Sequence, residues 1–398
     1  MSTSPASNWT ITDAERAEFA RFSGDHNPIH DDPVAARRLH GGRLLVHGAH
    51  LLLHVIDQAI AAGHLLATPR SVTVTFLHGV EPGMALATTF ELDDGIVRAR
   101  LTADIWPAAD IVIHPGEARP ASFVDAPAFE GVDERCHEHE LAELSGLSGS
   151  VGLGAAVGHG TSFQRVADVL GDVRVAEIAA ISHVVGMRAP GLYSMSAKYE
   201  IEFSDAADVT GPIELEYRVE AADSRMRRVR LGLSGPTLAA TVTAFSPPPP
   251  VDQRQVLAGR EQPVPNEFAG WRAVIVGGSR GLGAAAVVLL AGGGADVRFT
   301  YRDGAADAEI LAADTATTAF HFDADGHDRL ADHLDGWQPT HLCWFASPPR
   351  SGGVAGLFSD RLHQQLSSVM VDAFERQVAD LSAPPLRGVL WPSSELID

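Results

Sequence analysis

The sequence predicts three successive units, two of the α+β class and one of the α/β class. Residues 8–115 and 138–246 each combine an apolar helix with alternating strand segments, which indicates a helix packed on an antiparallel sheet. Residues 269–398 open instead with a buried strand, a glycine-rich turn and a helix, the order that starts a parallel α/β domain. Segments 116–137 and 247–268 are rich in proline and polar residues and are predicted to be linkers.

Composition limits the class of protein. A chain of 398 residues that is 45% hydrophobic has room for two or three cores. Its formal charge of −21 repels nucleic-acid phosphates and argues against nucleic-acid partners. No apolar stretch is long enough to span a bilayer, and the N-terminus lacks a signal-peptide pattern. Cys136 and Cys343 lie in different predicted domains, so we expect a cytoplasmic protein without disulfides.

The most informative segment of the first unit runs from Gly24 to His30. It places the carboxylate of Asp25 and the imidazole of His30 five positions apart on a turn shaped by Gly24, Asn27 and Pro28. An ionised carboxylate only accepts hydrogen bonds, whereas a neutral imidazole offers one donor and one acceptor. Together the two groups can hold one water molecule and move its proton.

An apolar run begins at Leu44 and continues to Ile56, which predicts a buried helix that starts near His47 and Gly48. The N-terminus of a helix carries unpaired N–H groups and a positive partial charge. The Gly48 N–H can therefore stabilise an oxyanion that develops on a bound carbonyl group. The alternative for Gly48 is a packing position where the helix meets the sheet.

These two motifs resemble those of a known family. The run Phe22 to His30 resembles the active-site signature of the MaoC-like, (R)-specific enoyl-thioester hydratases of the hotdog fold, and His47-Gly48 resembles the start of their central helix. The resemblance implies a hotdog fold over residues 8–115, with Asp25 and His30 as the acid–base pair. It also implies Gly48 as the oxyanion donor, Asn27 and His47 in support, and no metal or cofactor for this reaction.

The second unit repeats the order of the first without its motif. Its segment Ile181 to Ser194 again resembles hotdog hydratases, at the exit of the central helix. Yet it has no Asp-x-Asn-Pro-x-His run, and no His-Gly pair stands near Val173. The expected arrangement is a double hotdog in which the second copy is non-catalytic and covers the sheet edge of the first, as a homodimer partner otherwise does. His183 is interpreted as a core or interface residue.

Strand segments complete both units. In the first unit they are Ser71 to Leu77, Met84 to Leu92, Val97 to Ile105 and Ile111 to His114. In the second unit a helix from Glu177 to Gly186 precedes strands at Ser194 to Phe203, Ile213 to Ala221, Val229 to Leu233 and Leu238 to Phe245.

Three charged clusters have both a functional and a structural interpretation. Arg37, Arg38 and Arg43 are candidates to attract coenzyme A phosphates or an acidic carrier protein, although a solvated helix face is preferred. The group Arg225, Arg227, Arg228 and Arg230 is expected to occupy exposed strand positions, with a docking role left open. His137-Glu138-His139 is interpreted as a polar turn because no further ligands stand at metal-site spacing.

The third unit resembles the short-chain dehydrogenases/reductases. A strand, Arg272 to Val276, leads into a turn with glycines at 277, 281 and 283, and glycines let the backbone approach a pyrophosphate at the helix N-terminus. The strand segments that follow are 297–301, 341–345 and 388–391. The resemblance implies that Gly277, Gly281 and Gly283 hold the cofactor, that Arg280 and Arg302 suit the 2′-phosphate of NADPH, and that Asp323 lies near the adenine.

The same unit departs from that family in its proton relay. Short-chain reductases use a tyrosine and a lysine four positions later, after a serine that here matches Ser393 or Ser394. The only lysine of this chain is Lys198, and no tyrosine follows Tyr301. We therefore expect a truncated, inactive reductase half that serves as a structural or docking module.

The combined resemblance indicates reversible syn hydration of 2-enoyl thioesters, used as dehydration of (R)-3-hydroxyacyl thioesters in fatty-acid or polyketide-type biosynthesis. The substrate would be an acyl-CoA or acyl carrier protein thioester, and neighbouring biosynthetic enzymes are expected partners. Two alternatives remain open: a hotdog acyl-thioesterase and a non-catalytic acyl-binding scaffold.

Overall fold

The chain forms two compact units, Met1–Pro249 and Pro250–Asp398. The computed structural model describes residues 2–3, 7–39, 42–117, 119–125, 135–153, 163–205, 209–210, 214–250, 263–348, 360–381 and 386–392. Ser393 and Ser394, most of the proposed linker 247–268 and part of the linker 116–137 lie outside these residues.

The first unit is built on one antiparallel sheet. Its strands are β1 (Ser2–Thr3), β2 (Ser7–Trp9), β3 (Ser71–Phe76), β4 (Leu86–Asp93), β5 (Ile96–Ala103), β6 (Trp106–His114), β8 (Ser148–Gly152), β9 (Met195–Phe203), β11 (Glu214–Asp223), β12 (Arg228–Ser234) and β13 (Leu238–Phe245). Two short parallel strands, β7 (Phe123–Asp125) and β10 (Val209–Thr210), pair separately.

Two meanders meet in the middle of this sheet. The strand order is β1-β4-β5-β6-β3-β9-β13-β12-β11-β8, with β2 also paired to β4. Strands β3 and β9 pair antiparallel, from Ser71 opposite Glu202 to Thr75 opposite Lys198. Residues 2–117 are called the first half below, and residues 135–250 the second half. The β3–β9 pair joins the halves into one continuous sheet.

Each half contributes a buried central helix. The helices of the unit are α1 (Asp13–Ser23), α2 (Pro28–Asp31), α3 (Pro33–Ala36), α4 (Gly48–Ala61), α5 (Gln164–Leu170) and α6 (Asp172–His183), and α6 continues as a π-helix over Val184–Arg188. A short 3₁₀ turn covers Leu141–Glu143. Apolar side chains from both central helices and from the inward positions of the strands share one core. That core holds the two halves together.

The two central helices are buried differently. Helix α4 buries aliphatic residues such as Leu52 and Ile56 together with His50. Helix α6 is buried on all sides and contains two charged residues, Arg174 and Glu177, that are fully inaccessible. Arg174 donates to backbone carbonyl groups, among them that of Leu170 at 2.8 Å, so its charge is hydrogen-bonded as burial requires.

Several predicted boundaries were wrong. Helix α4 starts at Gly48, as the His-Gly pair predicts, but extends to Ala61 rather than ending near Ile56. Strand β6 starts at Trp106, five residues early, because Ala108 and Ala109 fill buried positions that break simple alternation. Strand β8 was missed because its Ser-Gly-rich sequence has low strand propensity.

Helix α6 was also placed too late. It begins at Asp172 rather than Glu177, after Gly171, whose φ of 90° suits glycine. The described part of the linker 116–137 is more than a surface connection, because Ala121 is fully buried and Phe123–Asp125 forms a strand.

The second unit is a parallel sheet with helices. Its strands are β14 (Arg272–Val276), β15 (Asp296–Tyr301), β16 (Thr318–His321), β17 (His341–Trp344) and β18 (Gly388–Leu390), in the order β16-β15-β14-β17-β18. Its helices are α7 (Gly281–Gly292), α8 (Ala305–Thr315), α9 (Asp360–Ser367) and α10 (Ala373–Leu381), with a π-helix at Ser368–Asp372 and a 3₁₀ turn at Leu330–His333. This order is that of a doubly wound nucleotide-binding sheet.

Among the described residues, every helix is too short or too polar to cross a lipid bilayer.

Candidate active site

The turn that carries Asp25 follows directly from the end of α1. Gly24 caps this helix with a φ of 72°, a left-handed conformation that glycine adopts without strain. The chain then reverses into α2, where Pro28 occupies the first turn and the Asn27 side chain accepts a hydrogen bond from the Ile29 N–H at 3.1 Å. Both ends of the turn are therefore fixed by local hydrogen bonds.

The Asp25 carboxylate is buried and fully oriented. Its side chain is 1% exposed. The Oδ1 atom accepts from the Asn27 N–H at 3.2 Å, and Oδ2 accepts from the Ser182 hydroxyl at 2.6 Å. Ser182 lies on α6, so the second half of the unit supplies one of the two donors to this carboxylate.

His30 faces the same carboxylate. Its Nδ1 donates to the Leu45 carbonyl oxygen at 2.7 Å, so in the neutral ring Nε2 carries the lone pair. Nε2 lies 3.8 Å from Asp25 Oδ2. The predicted pair is thus brought together, with Nε2 of the imidazole turned toward the carboxylate.

His47 supports the pair from the N-terminus of α4. Its Nε2 donates to the Asp25 backbone carbonyl at 3.0 Å, and its ring stacks on that of His30 at 3.8 Å between centroids. Burial and the neighbouring His30 hold the pKa of His47 well below its usual value. His47 therefore remains a neutral donor that fixes the turn.

Gly48 has a packing reason as well as a position suited to catalysis. As the first residue of α4, its N–H lies outside the intrahelical hydrogen-bond ladder. A Cβ atom at this position would lie 2.8 Å from Cζ of Phe76 on β3. Both interpretations made from the sequence are therefore compatible with its surroundings.

Asn27 links the active-site turn to the second half. Its Nδ2 lies 2.8 Å from the Gly186 carbonyl and 3.3 Å from the carbonyls of Gly191 and Leu192. At Gly186 itself, an added Cβ would lie 2.3 Å from Asp25 Oδ1. The π-helical end of α6 thus packs directly against the carboxylate.

His183 belongs to the same contact. Its Nδ1 donates to the Gly24 carbonyl at 2.7 Å, and the side chain is buried. Burial lowers its pKa. Because the ring holds the backbone of the turn rather than facing the carboxylate, the structural interpretation made from the sequence fits its position.

A cavity of about 240 Å³ is lined by the predicted acid–base pair. Asp25, His30 and Gly48 line it from the first half, together with Phe76. The second half contributes the residues Ser182, Val185, Gly186, Met195 and Phe245. Leu77 and Phe245 also line the cavity and are 50% and 40% exposed, so the opening is apolar.

The contacts of Ser182 and Gly186 with Asp25 were not predicted from the sequence. Both residues lie within the segment Ile181 to Ser194, whose resemblance to hotdog hydratases was the available indication. The segment was assigned to a non-catalytic copy, and its contact with Asp25 spans a separation of 157 residues that spacing does not reveal.

Two groups of residues contain side chains that could bind a metal ion. Ligand atoms of Asp25, His30 and His47 lie within 4.8 Å of one another, so a cation there would compete with the proposed water for the same groups. In the His137-Glu138-His139 turn, Glu138 accepts from the Tyr193 hydroxyl at 2.9 Å and His139 Nε2 donates to the Arg188 carbonyl. These bonds account for the turn as a local polar contact.

The first arginine cluster is partly used within the fold. Arg43 contacts the Glu81 carboxylate, and its side chain is 12% exposed. Its charge is therefore offset and largely inaccessible to a ligand phosphate.

In the parallel unit, the predicted glycine turn has the required geometry. Gly277 and Gly281 have φ of 79° and 58°. A Cβ at Gly283 would lie 2.1 Å from the Gly277 carbonyl oxygen, whereas nothing lies within 4 Å of one at Gly281. Gly283 packs against the backbone of the turn, whereas the space beside Gly281 is empty. This space at the N-terminus of α7 suits a pyrophosphate.

The predicted cationic residues of this unit have acidic neighbours. Arg302 Nε lies 2.9 Å from the Asp303 carboxylate, and its Nη1 lies 4.0 Å from Asp323 Oδ1. Arg302 and Asp323 are therefore brought together, with the positive charge of Arg302 partly offset. Arg280 precedes α7 and is exposed.

Comparison with known proteins gave matches to a family model, to a curated protein and to solved structures. Residues 2–103 match the model of the MaoC-like domain family. A solved structure described as a MaoC-like dehydratase aligns with 60% of this chain and 96% of its own, with a TM-score of 0.42 and 11% identity. The match of residues 2–103 to this family model supports a hydratase or dehydratase function in general.

Three other matches cover smaller shares of the chain than the MaoC-like dehydratase structure does. The cyclic-di-GMP-binding biofilm dispersal mediator protein of Escherichia coli (strain K12) is 43% identical over 65 residues, which are 16% of this chain and 27% of that protein. The chain therefore spans about a quarter of the length of this curated relative. A structure of BdcA in complex with NADPH aligns with 30% of this chain and 48% of its own, at 30% identity and a TM-score of 0.27. A short chain dehydrogenase/reductase family protein aligns with 29% and 50%, at 28% identity and a TM-score of 0.27.

Proposed function

We propose that the antiparallel unit catalyses reversible syn hydration of 2-enoyl thioesters, used as dehydration of (R)-3-hydroxyacyl thioesters in fatty-acid or polyketide-type biosynthesis. The observation that carries the proposal is the pairing of Asp25 Oδ2 with His30 Nε2, 3.8 Å apart, at the wall of one cavity. That separation leaves both groups free to bond to one substrate oxygen or water.

The proton steps follow from the hydrogen bonds of the pair. In hydration, a water held between the Asp25 carboxylate and His30 Nε2 gives up a proton to the pair while its oxygen bonds to C3. The same pair returns a proton to C2, so that one water is added across the double bond. Dehydration is the reverse: C2 loses a proton to the pair, and the C3 hydroxyl leaves as water with a proton from it.

The thioester carbonyl requires a separate donor. Addition at C3 places negative charge on the carbonyl oxygen as an enolate, and a fixed N–H at a helix N-terminus stabilises that charge. The Gly48 N–H lines the cavity at the start of α4 and is the group proposed for this role.

The antiparallel unit is proposed to be a double hotdog with one working site. Each half has a central helix and a meander, and β3 pairs with β9 where two subunits of a dimer would meet. In this arrangement the second half needs no acid–base pair of its own, because Ser182, His183 and Gly186 complete the site of the first.

The experiment compares Asp25→Asn with Asp94→Asn, a matched change on the exposed β4–β5 hairpin. Crotonyl-CoA turnover, followed by loss of enone absorbance, should fall by about 10²–10⁴-fold in Asp25→Asn and remain unchanged in Asp94→Asn. Release of free thiol would indicate a thioesterase instead, and binding without conversion an acyl-binding scaffold. Loss of activity on addition of EDTA would indicate that Asp25 and His30 bind a metal ion instead of acting on water directly.

For the parallel unit, a nucleotide-binding role without reduction is proposed. The open position at Gly281, the N-terminus of α7 and the exposed Arg280 would receive the phosphates of NADPH. Residues 250–398 contain one tyrosine, Tyr301, and no lysine, so the usual reductase proton relay has no candidate there.

This role is tested by titration with NADPH, NADH and cyclic-di-GMP, using calorimetry. NADPH should bind, and Gly281→Val should abolish binding by filling the open position. Preference for cyclic-di-GMP, or NADPH oxidation with a 3-oxoacyl thioester, would contradict the proposal.

A further inference from the structure

The β11–β12 hairpin lies beside the opening of the active-site cavity. Phe245, at the end of β13, pairs with Met195 on one side and with Arg228 on the other. Residues directly opposite one another in a sheet share a face, with Cβ atoms about 5 Å apart. Because Met195 and Phe245 line the cavity, Arg228 occupies the next position outward in the same row.

The hairpin, Asp223 to Arg228, is strongly basic and has a fixed shape. The Asp223 carboxylate accepts hydrogen bonds from the backbone N–H groups of Arg225 and Met226, at 2.9 and 3.0 Å. Arg227 donates from Nε to the Ser246 carbonyl, next to Phe245. Arg225 and Arg228 are exposed, and Met226 between them is 54% exposed. The hairpin therefore presents two cations and an apolar side chain on a rigid turn.

The first half of the unit provides an internal comparison. There Ser71 of β3 pairs with His114 at the end of β6. Ile96 is the first residue of β5 and pairs with Asp93, as Arg228 is the first residue of β12 and pairs with Asp223. The equivalent β4–β5 hairpin contains Asp93, Asp94 and Gly95 and has no cation. The basic β11–β12 hairpin thus lies beside the cavity that contains Asp25, whereas the β4–β5 hairpin of the first half is acidic.

The size of the cavity indicates which part of a bound substrate would lie near this hairpin. Pockets that enclose a drug-sized ligand measure about 300–1,000 Å³, whereas this cavity measures about 240 Å³. An acyl group and the adjoining thioester fill such a space, so the phosphates of a coenzyme A thioester remain outside. They would lie at the opening, where arginine side chains bind phosphate through paired N–H groups.

We propose that Arg225 and Arg228 of the β11–β12 hairpin bind the phosphate groups of coenzyme A, and that the enzyme therefore acts on coenzyme A thioesters. The inference rests on the proposed hydratase function. The formal charge of −21 favours this compact anion over an acidic carrier protein, whose larger charged surface would meet more of the repulsion. Met226 is placed to contact the adenine ring beside the phosphates.

The test uses the full chain and the double variant Arg225→Gln/Arg228→Gln. The matched control is Arg98→Gln/Arg100→Gln, two exposed arginines of β5 in the first half. Each variant is assayed with three substrates: crotonyl-CoA, crotonyl-pantetheine, which lacks the coenzyme A phosphates, and a crotonyl thioester of an acyl carrier protein. Binding of coenzyme A alone is measured by calorimetry.

The hairpin variant should raise KM for crotonyl-CoA and weaken coenzyme A binding by about tenfold, the product of two exposed ion pairs of ordinary strength. Its kcat and its kinetics with crotonyl-pantetheine should match wild type. Rising salt should raise KM for crotonyl-CoA in wild type and much less in the variant. The control should behave as wild type in every assay.

Three results would overturn the proposal: unchanged coenzyme A binding, equal loss with crotonyl-CoA and crotonyl-pantetheine, or a loss confined to the carrier-protein thioester. The last result would make the hairpin a protein docking surface. Failure of the hydratase function gives a different result, because wild type would then convert none of the three substrates. Coenzyme A binding still reports on the hairpin in that case.

Discussion

The two halves of the antiparallel unit share an architecture but carry different groups at the site. The first half provides Asp25, His30 and the N-terminus of α4. The second half provides Ser182 and Gly186, which contact the same carboxylate from α6 and its π-helical end. The first half therefore carries the proposed acid–base pair, and the second half orients its carboxylate.

The central helices also differ in how they handle ionisable groups. Helix α4 buries His50, which stacks on Phe19 at 4.4 Å and bonds to His54 at 3.1 Å. Helix α6 buries Glu177, which accepts from both the N–H and the hydroxyl of Thr237. Both helices therefore bury histidines whose pKa is lowered by burial, and α6 also buries the carboxyl group of Glu177.

The largest expected difference in kcat is between variants of His30 and His183, the two histidines that contact the turn. His30→Ala should lower kcat by about 10²–10⁴-fold, because it removes a group of the acid–base pair. His183→Ala removes a hydrogen bond to the Gly24 carbonyl, so we expect a loss of about 1 kcal/mol in the free energy of unfolding and a much smaller change in kcat. Steady-state kinetics and urea denaturation measure both. Equal losses of kcat would contradict the division of roles.

The next effect concerns the two glycines that touch the site. Gly186→Ala should lower kcat by about 10²-fold, because its Cβ displaces the Asp25 carboxylate. Gly48→Ala also lowers activity by contact with Phe76, but it keeps the backbone N–H. Gly48→Ala/Phe76→Leu should therefore recover most of the turnover, and failure to recover would mean that Gly48 is needed for more than space.

A smaller effect is expected at Ser182. Ser182→Ala removes the hydroxyl donor to Asp25 Oδ2, and hydrogen bonds to charged groups contribute about 1.5–3 kcal/mol, which corresponds to about 10- to 100-fold in kcat. KM should change less than kcat, because the Ser182 hydroxyl is engaged by Asp25 Oδ2. Ser182→Thr retains the hydroxyl and should restore part of the rate. Identical kinetics for the alanine and threonine variants would exclude the hydrogen bond as the cause.

The smallest effect is a pH dependence that differs between the helices. Burial lowers the pKa of His54 to about 4, so its contribution to stability is lost as the pH falls from its unfolded value of 6.5 toward 4. Burial raises the pKa of Glu177 to about 7, so its contribution is present below the unfolded value of 4.5 and is lost as the pH rises toward 7.

We therefore expect His54→Leu to reduce the loss of stability on acidification, and Glu177→Gln to reduce the loss above pH 4.5. Free energies of unfolding from urea titrations across pH 4 to 8 measure both slopes. If both variants keep the slope of wild type, the buried groups do not control the pH dependence.

The sequence predicted the elements that depend on local pattern. The start of α4 at Gly48 and the approach of His30 to Asp25 follow from a helix signal and a short turn, which neighbouring residues determine. The contact of Ser182 with Asp25 depends on the packing of α6 against a turn 157 residues earlier, which no local pattern contains. The π-helix at Val184–Arg188 was missed for the same reason, since tertiary packing decides it.

The strand boundaries show a related limit. Alternation located β3, whose Val72 and Val74 face the core. It failed at the start of β6, where two consecutive alanines are buried. Small side chains fit buried positions without producing a hydrophobic alternation, so only the assembled sheet reveals them.

In the proposed double hotdog, the pairing of β3 with β9 places inside one polypeptide an interface that two identical subunits would otherwise form. In a symmetric dimer every substitution appears twice, so a residue must suit both copies of the site. Within one chain each copy can mutate independently. An arginine at position 228 can therefore serve one opening while its counterpart, Ile96, retains an apolar side chain.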